Sequence, residues 1–217
     1  MRRFLVALIA PVVVWTAHVS VLGQKSGETP GVELRLVVKK GQYVLDLGGK
    51  SEKDLAGDHQ SPPIVPPQVD LVLEFHNSGK KPVKIWIGGD PTCRLTLDLK
   101  GAGARTIKIL GPPIGANIPP IPPREESIEP GKLYRLPLKS LAVLDRYRSG
   151  QASYWTKHGE YTLKVSYHTA LSPTPKGSKE AVWLGPLMVG VDPKAKSKGF
   201  GQVTFTSNTV KLKVVEK

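Results

Sequence analysis

Apolar and polar residues alternate with a period of two along much of the chain. The clearest run contains Val69, Leu71, Leu73 and Phe75 at every second position. Because successive side chains of a strand point to opposite faces, such a run predicts a half-buried β-strand. Similar runs lie at 32–38, 43–47, 83–87, 95–99, 136–138, 161–167, 203–205 and 210–214. The pattern predicts about nine or ten short strands, and only 141–147 resembles a helix.

Turn residues separate several of these runs. Gly41-Gln42 and Asn77-Ser78-Gly79-Lys80 stand between neighbouring runs, and each predicts a hairpin. The whole pattern predicts an all-β fold, an immunoglobulin-like antiparallel β-sandwich with long Pro/Gly-rich loops. Tyr161 follows Gly159-Glu160 at a strand start. It is either the corner tyrosine of such a sandwich or an ordinary core tyrosine.

Composition supports a strand-rich fold over a helical one. The 217 residues include 22 glycines and 20 prolines, both of which disfavour helix interiors. Prolines are dense at 61–67 and 112–123, so each segment is predicted to be an extended loop. Each is interpreted as a stiff connection between strands, with a polyproline ligand as the alternative.

The first residues have the order of an export signal. Arg2 and Arg3 precede an apolar run of about twelve residues, shorter than the ~20 that span a bilayer. We predict a signal peptide at 1–23, a flexible N-terminal segment at 24–31 and a single domain at 32–217. An uncleaved anchor is the alternative to cleavage. The predicted location is exported, periplasmic or extracellular, with no transmembrane span after cleavage.

The sequence contains no motif of a known catalytic or local metal site. There is a single cysteine, Cys93, and no G-x-S-x-G, H-E-x-x-H, Walker or Rossmann pattern. The histidines show no i,i+2 or i,i+4 spacing typical of a local metal site. The sequence therefore predicts a non-catalytic interaction or structural module, with no catalytic residue, cofactor or metal. An enzyme of unrecognised type is an alternative.

The chain is basic, with 31 Lys and Arg against 18 Asp and Glu, a formal net charge of +13. The cations are spread through strands and loops rather than forming one dense block. An exported basic protein is predicted to contact an unknown protein or an anionic envelope or polysaccharide surface, and no nucleic acid. Ordinary solubilising charge is the alternative.

Two groups of residues are candidates for partner binding. The first lies in the long connection 171–201, where an apolar group without strand alternation is flanked by lysines: Trp183, Leu184, Leu187 and Met188. This connection is predicted either to contact a partner or to cover an open end or edge of the sandwich. The second group mixes aromatic rings with cations that suit a saccharide or an acidic partner: Arg146, Arg148, Tyr154 and Trp155. The alternative is that Trp155 fills the end of the sandwich.

Three stretches carry a resemblance to known proteins. The stretches 70–87 (DLVLEFHNSGKKPVKIWI), 128–138 (IEPGKLYRLPL) and 158–167 (HGEYTLKVSY) resemble the bacterial intracellular proteinase inhibitor family. That resemblance implies an immunoglobulin-like, protease-binding module whose loop 171–201 or 112–123 would enter a protease cleft. His158 departs from the family pattern, in which proline is usual.

A second resemblance concerns two further blocks. The blocks 88–104 and 171–181 resemble secreted immunoglobulin-like proteins of planctomycete bacteria. This resemblance implies a location outside the cytoplasm.

Overall fold

The computed structural model describes residues 31–89, 94–111, 123–145, 148–181 and 199–217. Within these ranges the chain forms thirteen strands and one short 3₁₀ helix at Glu52–Leu55. The strands are β1 (Val32–Val38), β2 (Gln42–Val44), β3 (Gln68–Asn77), β4 (Val83–Ile87), β5 (Arg94–Lys100), β6 (Ala104–Leu110), β7 (Arg124–Ile128), β8 (Leu133–Ser140), β9 (Ala142–Leu144), β10 (Ser149–Trp155), β11 (Gly159–Ser172), β12 (Gly201–Thr206) and β13 (Val210–Val215). No helix in the described ranges is long and apolar enough to cross a membrane.

The strands form three sheets. Sheet A has the order β1-β3-β8, and sheet C has the order β6-β10-β9. Sheet B has the order β2-β13-β11-β4-β7, with β12 and β5 also paired to β11. All pairs between these strands are antiparallel except β2 with β13, which run parallel. The predicted immunoglobulin-like antiparallel β-sandwich is confirmed.

The main core lies between sheets A and B, where the apolar sides of their strands face each other. Phe75 of β3 is fully buried at its centre. Its ring contacts Tyr167 of β11 at 5.2 Å, Phe205 of β12 at 5.8 Å and Tyr134 of β8 at 6.4 Å between centroids. One aromatic cluster therefore joins the two sheets, at distances favoured for aromatic pairs.

A side-chain amide joins the two sheets along the edge of β1. Asn208, between β12 and β13, accepts a hydrogen bond from the Leu36 backbone N–H at 2.8 Å and donates one to the Leu36 carbonyl at 3.2 Å. The preceding Ser207 hydroxyl accepts from the Val165 N–H at 3.0 Å. The bend between β12 and β13 is thus fixed to both layers.

A smaller core lies under sheet C. It contains Leu55, Ile64, Ile107, Ile109, Ala152 and Tyr154. The proline-dense segment 61–67 covers this core by burying Ile64, whose carbonyl accepts a hydrogen bond from the Tyr154 hydroxyl at 2.9 Å. The segment 61–67 therefore connects two strands and also covers sheet C, which agrees with its interpretation as a stiff connection. The other proline-dense segment lies outside the described residues, apart from Pro123.

Both predicted hairpins are wrong. β2 pairs with β13 instead of β1, and the turn at 77–80 carries the chain from sheet A to sheet B. The buried Asn77 side chain shapes that crossing by donating to the carbonyls of Lys81 at 2.9 Å and Ile128 at 2.8 Å and by accepting from the Gly79 N–H at 3.0 Å. The same turn residues suit a hairpin and a crossing, so the local sequence does not distinguish the two.

The predicted helix at 141–147 is also wrong. Ala142–Leu144 forms β9 and pairs with β10. The alternation rule did not predict β6, β7 and β10. Four consecutive residues at the end of β10, 152–155, are buried, so that strand shows no period of two.

Tyr161 is a corner tyrosine. It is buried at the start of β11, and its hydroxyl donates to the Lys157 carbonyl at 2.7 Å. Two glycines make room for its ring: a Cβ at Gly101 would lie 2.5 Å from Tyr161 Cδ1, and one at Gly103 would lie 2.6 Å from its hydroxyl oxygen. The corner therefore depends on the small residues of the β5–β6 turn.

We expect Gly103→Ala to lower the free energy of unfolding by about 1–3 kcal/mol, because the added methyl would also meet the Lys157 backbone nitrogen at 2.7 Å. Urea denaturation measures the loss. Gly41→Ala is the matched control, since its Cβ would meet nothing closer than Val38 Cγ1 at 3.8 Å. Equal stability of the two variants would contradict this account of the corner.

Candidate binding face on sheet B

Part of the predicted partner surface lies outside the described residues. This applies to Trp183, Leu184, Leu187 and Met188, and to Arg146 of the second group. Their role in binding stays a prediction. The remaining candidates, Arg148, Tyr154 and Trp155, are described.

The prediction that Tyr154 and Trp155 form an aromatic binding surface is wrong. Tyr154 has no exposed surface and Trp155 is 2% exposed. The Trp155 ring lies 5.3 Å from that of Tyr43 and 6.1 Å from that of Tyr161. Both rings are core residues, because this end of β10 is enclosed on both sides, and neither can stack on a saccharide. Arg148 is exposed, with a φ of 59°.

The residues on either side of the segment 182–198 are held together. The Ala181 N–H donates to the Phe200 carbonyl, and the Gln202 N–H donates to the Lys179 carbonyl, both at 2.8 Å. Gly201 permits this approach, since a Cβ there would lie 2.7 Å from Thr174 Cγ2. The chain therefore leaves and re-enters the described structure at one place.

That place is on the outer face of sheet B. Trp86 is one of two outward-facing residues of β4, yet it is only 4% exposed because the Phe200 ring stacks on it at 4.9 Å with an interplanar angle of 29°. Ala170 of β11 and Ala181 complete the group. We call these four residues the stem cluster. Sequence reasoning missed it, although a tryptophan on the polar side of a strand signals that something covers it.

Beside the stem cluster, the outer face of sheet B is basic. The outward positions of β5, β11, β12 and β13 carry cations, hydroxyls, two carboxylates, a glutamine and a histidine. We define the basic face by Arg94, Thr96, Asp98, Lys100, Glu160, Thr162, Lys164, Ser166, His168, Gln202, Thr204, Thr206, Lys211 and Lys213. Lys100 pairs with Asp98 at 3.3 Å. Within the described part of the chain, the other four cations form no ion pair.

The outer face of sheet A has a different charge pattern. Its three cations are each paired with a carboxylate on the same face: Arg35 with Glu33 at 2.9 Å, Arg135 with Glu74 at 2.8 Å, and Lys139 with Asp70. Sheet A is therefore neutral on its outside, whereas sheet B is cationic. The five cations of the basic face, which come from distant parts of the sequence, lie together on one side of the sandwich.

The strand register places the groups of the basic face in rows. One row crosses three strands as Lys211, Thr162 and Lys100. The next row places Lys164 opposite Asp98, and the two rows after it read Thr206, Ser166, Thr96 and Thr204, His168, Arg94. In the last of these, His168 Nδ1 and Thr204 Oγ1 are 2.9 Å apart. Cations and hydroxyls thus share an open, pleated surface with two carboxylates, Asp98 and Glu160.

Comparison with known proteins assigns no family to this chain. No protein-family model matches this chain, and no curated protein matches it. The chain is similar to a solved structure, the ASH / PapD-like domain of human CEP192 (PapD-like domain 7), with 11% sequence identity and a TM-score of 0.26. That match covers 93% of this chain and 98% of the other. The fold described above rests on the strand pairing and not on this likeness.

Proposed function

We propose that this protein is an exported, non-catalytic binding module that contacts its partner through the outer face of sheet B and the segment 182–198. The stem cluster is the observation that carries the proposal. Burial of Trp86 under Phe200, together with paired backbone, holds the residues that flank that segment on the sheet. Binding residues are commonly found on loops that a rigid scaffold positions.

The chemistry of the basic face suits binding better than catalysis. A catalytic site usually places an acid, base or nucleophile in a cleft that excludes water. The basic face instead offers exposed cations, such as Lys164 and Lys211, and hydroxyls on an open sheet. Such groups hold anionic or hydroxyl-rich partners reversibly.

Site-specific photocrosslinking in the source cells tests the proposal. A photoreactive residue at position 183 or 204 is compared with one at position 72, which lies on the outer face of sheet A. We expect covalent adducts from 183 and 204 and few from 72. Equal yields at all three positions, or none, would contradict the proposed surface. Turnover of a substrate that one point substitution abolishes would contradict the non-catalytic function.

A further inference from the structure

We infer that the basic face binds an acidic polysaccharide, a chain of sugars that carries carboxylate or sulfate groups. The inference rests on the proposed function as a binding module and adds the chemical class of its ligand. It starts from the four cations of the basic face that form no ion pair among the described residues: Arg94, Lys164, Lys211 and Lys213. They lie together on neighbouring strands, so their fields add.

The spacing of the groups suits an extended polymer. Neighbouring strands lie about 4.8 Å apart, and side chains on one face repeat about every 7 Å along a strand. A chain lying across β13, β11 and β5 would meet Lys211, then Thr162, then Lys100. Two rows along the sheet, beyond Lys164 and Asp98, it would meet only hydroxyls. Alternating cations and hydroxyls can contact both the acidic groups and the hydroxyls of a sugar chain.

Two other anionic partners fit this face less well. The large apolar residues exposed in the described structure are Val44, Val65, Leu110 and Leu133, and none belongs to β5, β11, β12 or β13. The basic face therefore lacks anchors that would enter a lipid bilayer. It also lacks an open aromatic ring on which bases could stack, since Phe200 covers Trp86.

Binding of the purified full chain to defined polymers tests the inference. The probes are alginate and dextran sulfate, with neutral dextran, phosphatidylglycerol vesicles and single-stranded DNA for comparison. The test variant is Lys164→Gln/Lys211→Gln/Lys213→Gln. The matched control is Arg35→Gln/Arg135→Gln/Lys139→Gln, which removes the same charge from sheet A. At physiological ionic strength we expect the test variant to bind the acidic polysaccharides about tenfold more weakly and the control to change by less than about threefold.

Several outcomes would overturn the inference. Equal weakening in both triple variants would mean that net charge alone drives binding. Stronger binding to vesicles or DNA than to either acidic polysaccharide would assign a different ligand class. If no acidic polysaccharide binds while positions 183 and 204 still crosslink, the ligand class is wrong and the binding module stands. If alginate binds through the basic face but crosslinks are absent, the role of the segment 182–198 is wrong.

Discussion

Replacing Phe75 with alanine is expected to lower the free energy of unfolding by about 3–5 kcal/mol. The side chain is fully buried, and its ring contacts aromatic residues of both layers of the sandwich. Removing it leaves a cavity between sheets A and B and ends the contacts with Tyr167 and Phe205. Urea denaturation followed by tryptophan fluorescence measures the loss.

An outward position on the same strand, Val72, provides the control. Val72 lies on the outer face of sheet A and is half-buried. We expect Val72→Ala to cost about 1 kcal/mol, near the centre of the distribution for single substitutions. Similar losses in the two variants would mean that Phe75 does not join the sheets as described.

Replacing Tyr154 with alanine is expected to cost a similar amount, about 3–5 kcal/mol, through the second core. Its ring fills the space between sheet C and the proline-dense segment, and its hydroxyl satisfies the Ile64 carbonyl. Tyr154→Phe keeps the ring and loses only that hydrogen bond, so it should cost about 0.5–1.5 kcal/mol. Equal costs would contradict the packing role of the ring.

The same residue predicts an alkaline effect. Burial raises the pKa of Tyr154 to about 12, above its usual value near 10. Below pH 10 the phenol is protonated in both states, and its contribution to stability is fully present. As the pH rises from about 10 to about 12, the unfolded chain loses its proton first, so that contribution is lost. We expect wild type to lose more stability than Tyr154→Phe in this range. Parallel pH profiles would contradict a buried, neutral phenol.

The fold class could be predicted from sequence because the residues of β3 and β11 that face the core alternate with mostly polar ones. The pairing of the strands could not be predicted from sequence, because a turn such as 77–80 fits both a hairpin and a crossing between sheets. The buried amide of Asn77 selects the crossing through its bonds to Lys81 and Ile128. The bond to Ile128 depends on β7, a strand that the alternation of apolar and polar residues did not predict.

The candidate site was only partly accessible from sequence. Tyr154 and Trp155 were candidates for the surface because aromatics beside cations are typical of binding sites, but Tyr154 packs in the smaller core and Trp155 in the main core, as the alternative for Trp155 required. The cations of the basic face looked scattered because Arg94, Lys164 and Lys211 come from three distant parts of the chain. Only the register of β5, β11 and β13 brings them together.

Asn208 has a consequence for how copies of this protein meet one another. β1 is an edge strand, and such strands present free N–H and C=O groups that can template pairing with another chain. At Leu36, in the middle of that edge, both backbone groups are already bonded to one amide side chain. An incoming strand would find the ladder interrupted there and could not extend along β1. A single asparagine thereby blocks the middle of the β1 edge against addition of another strand.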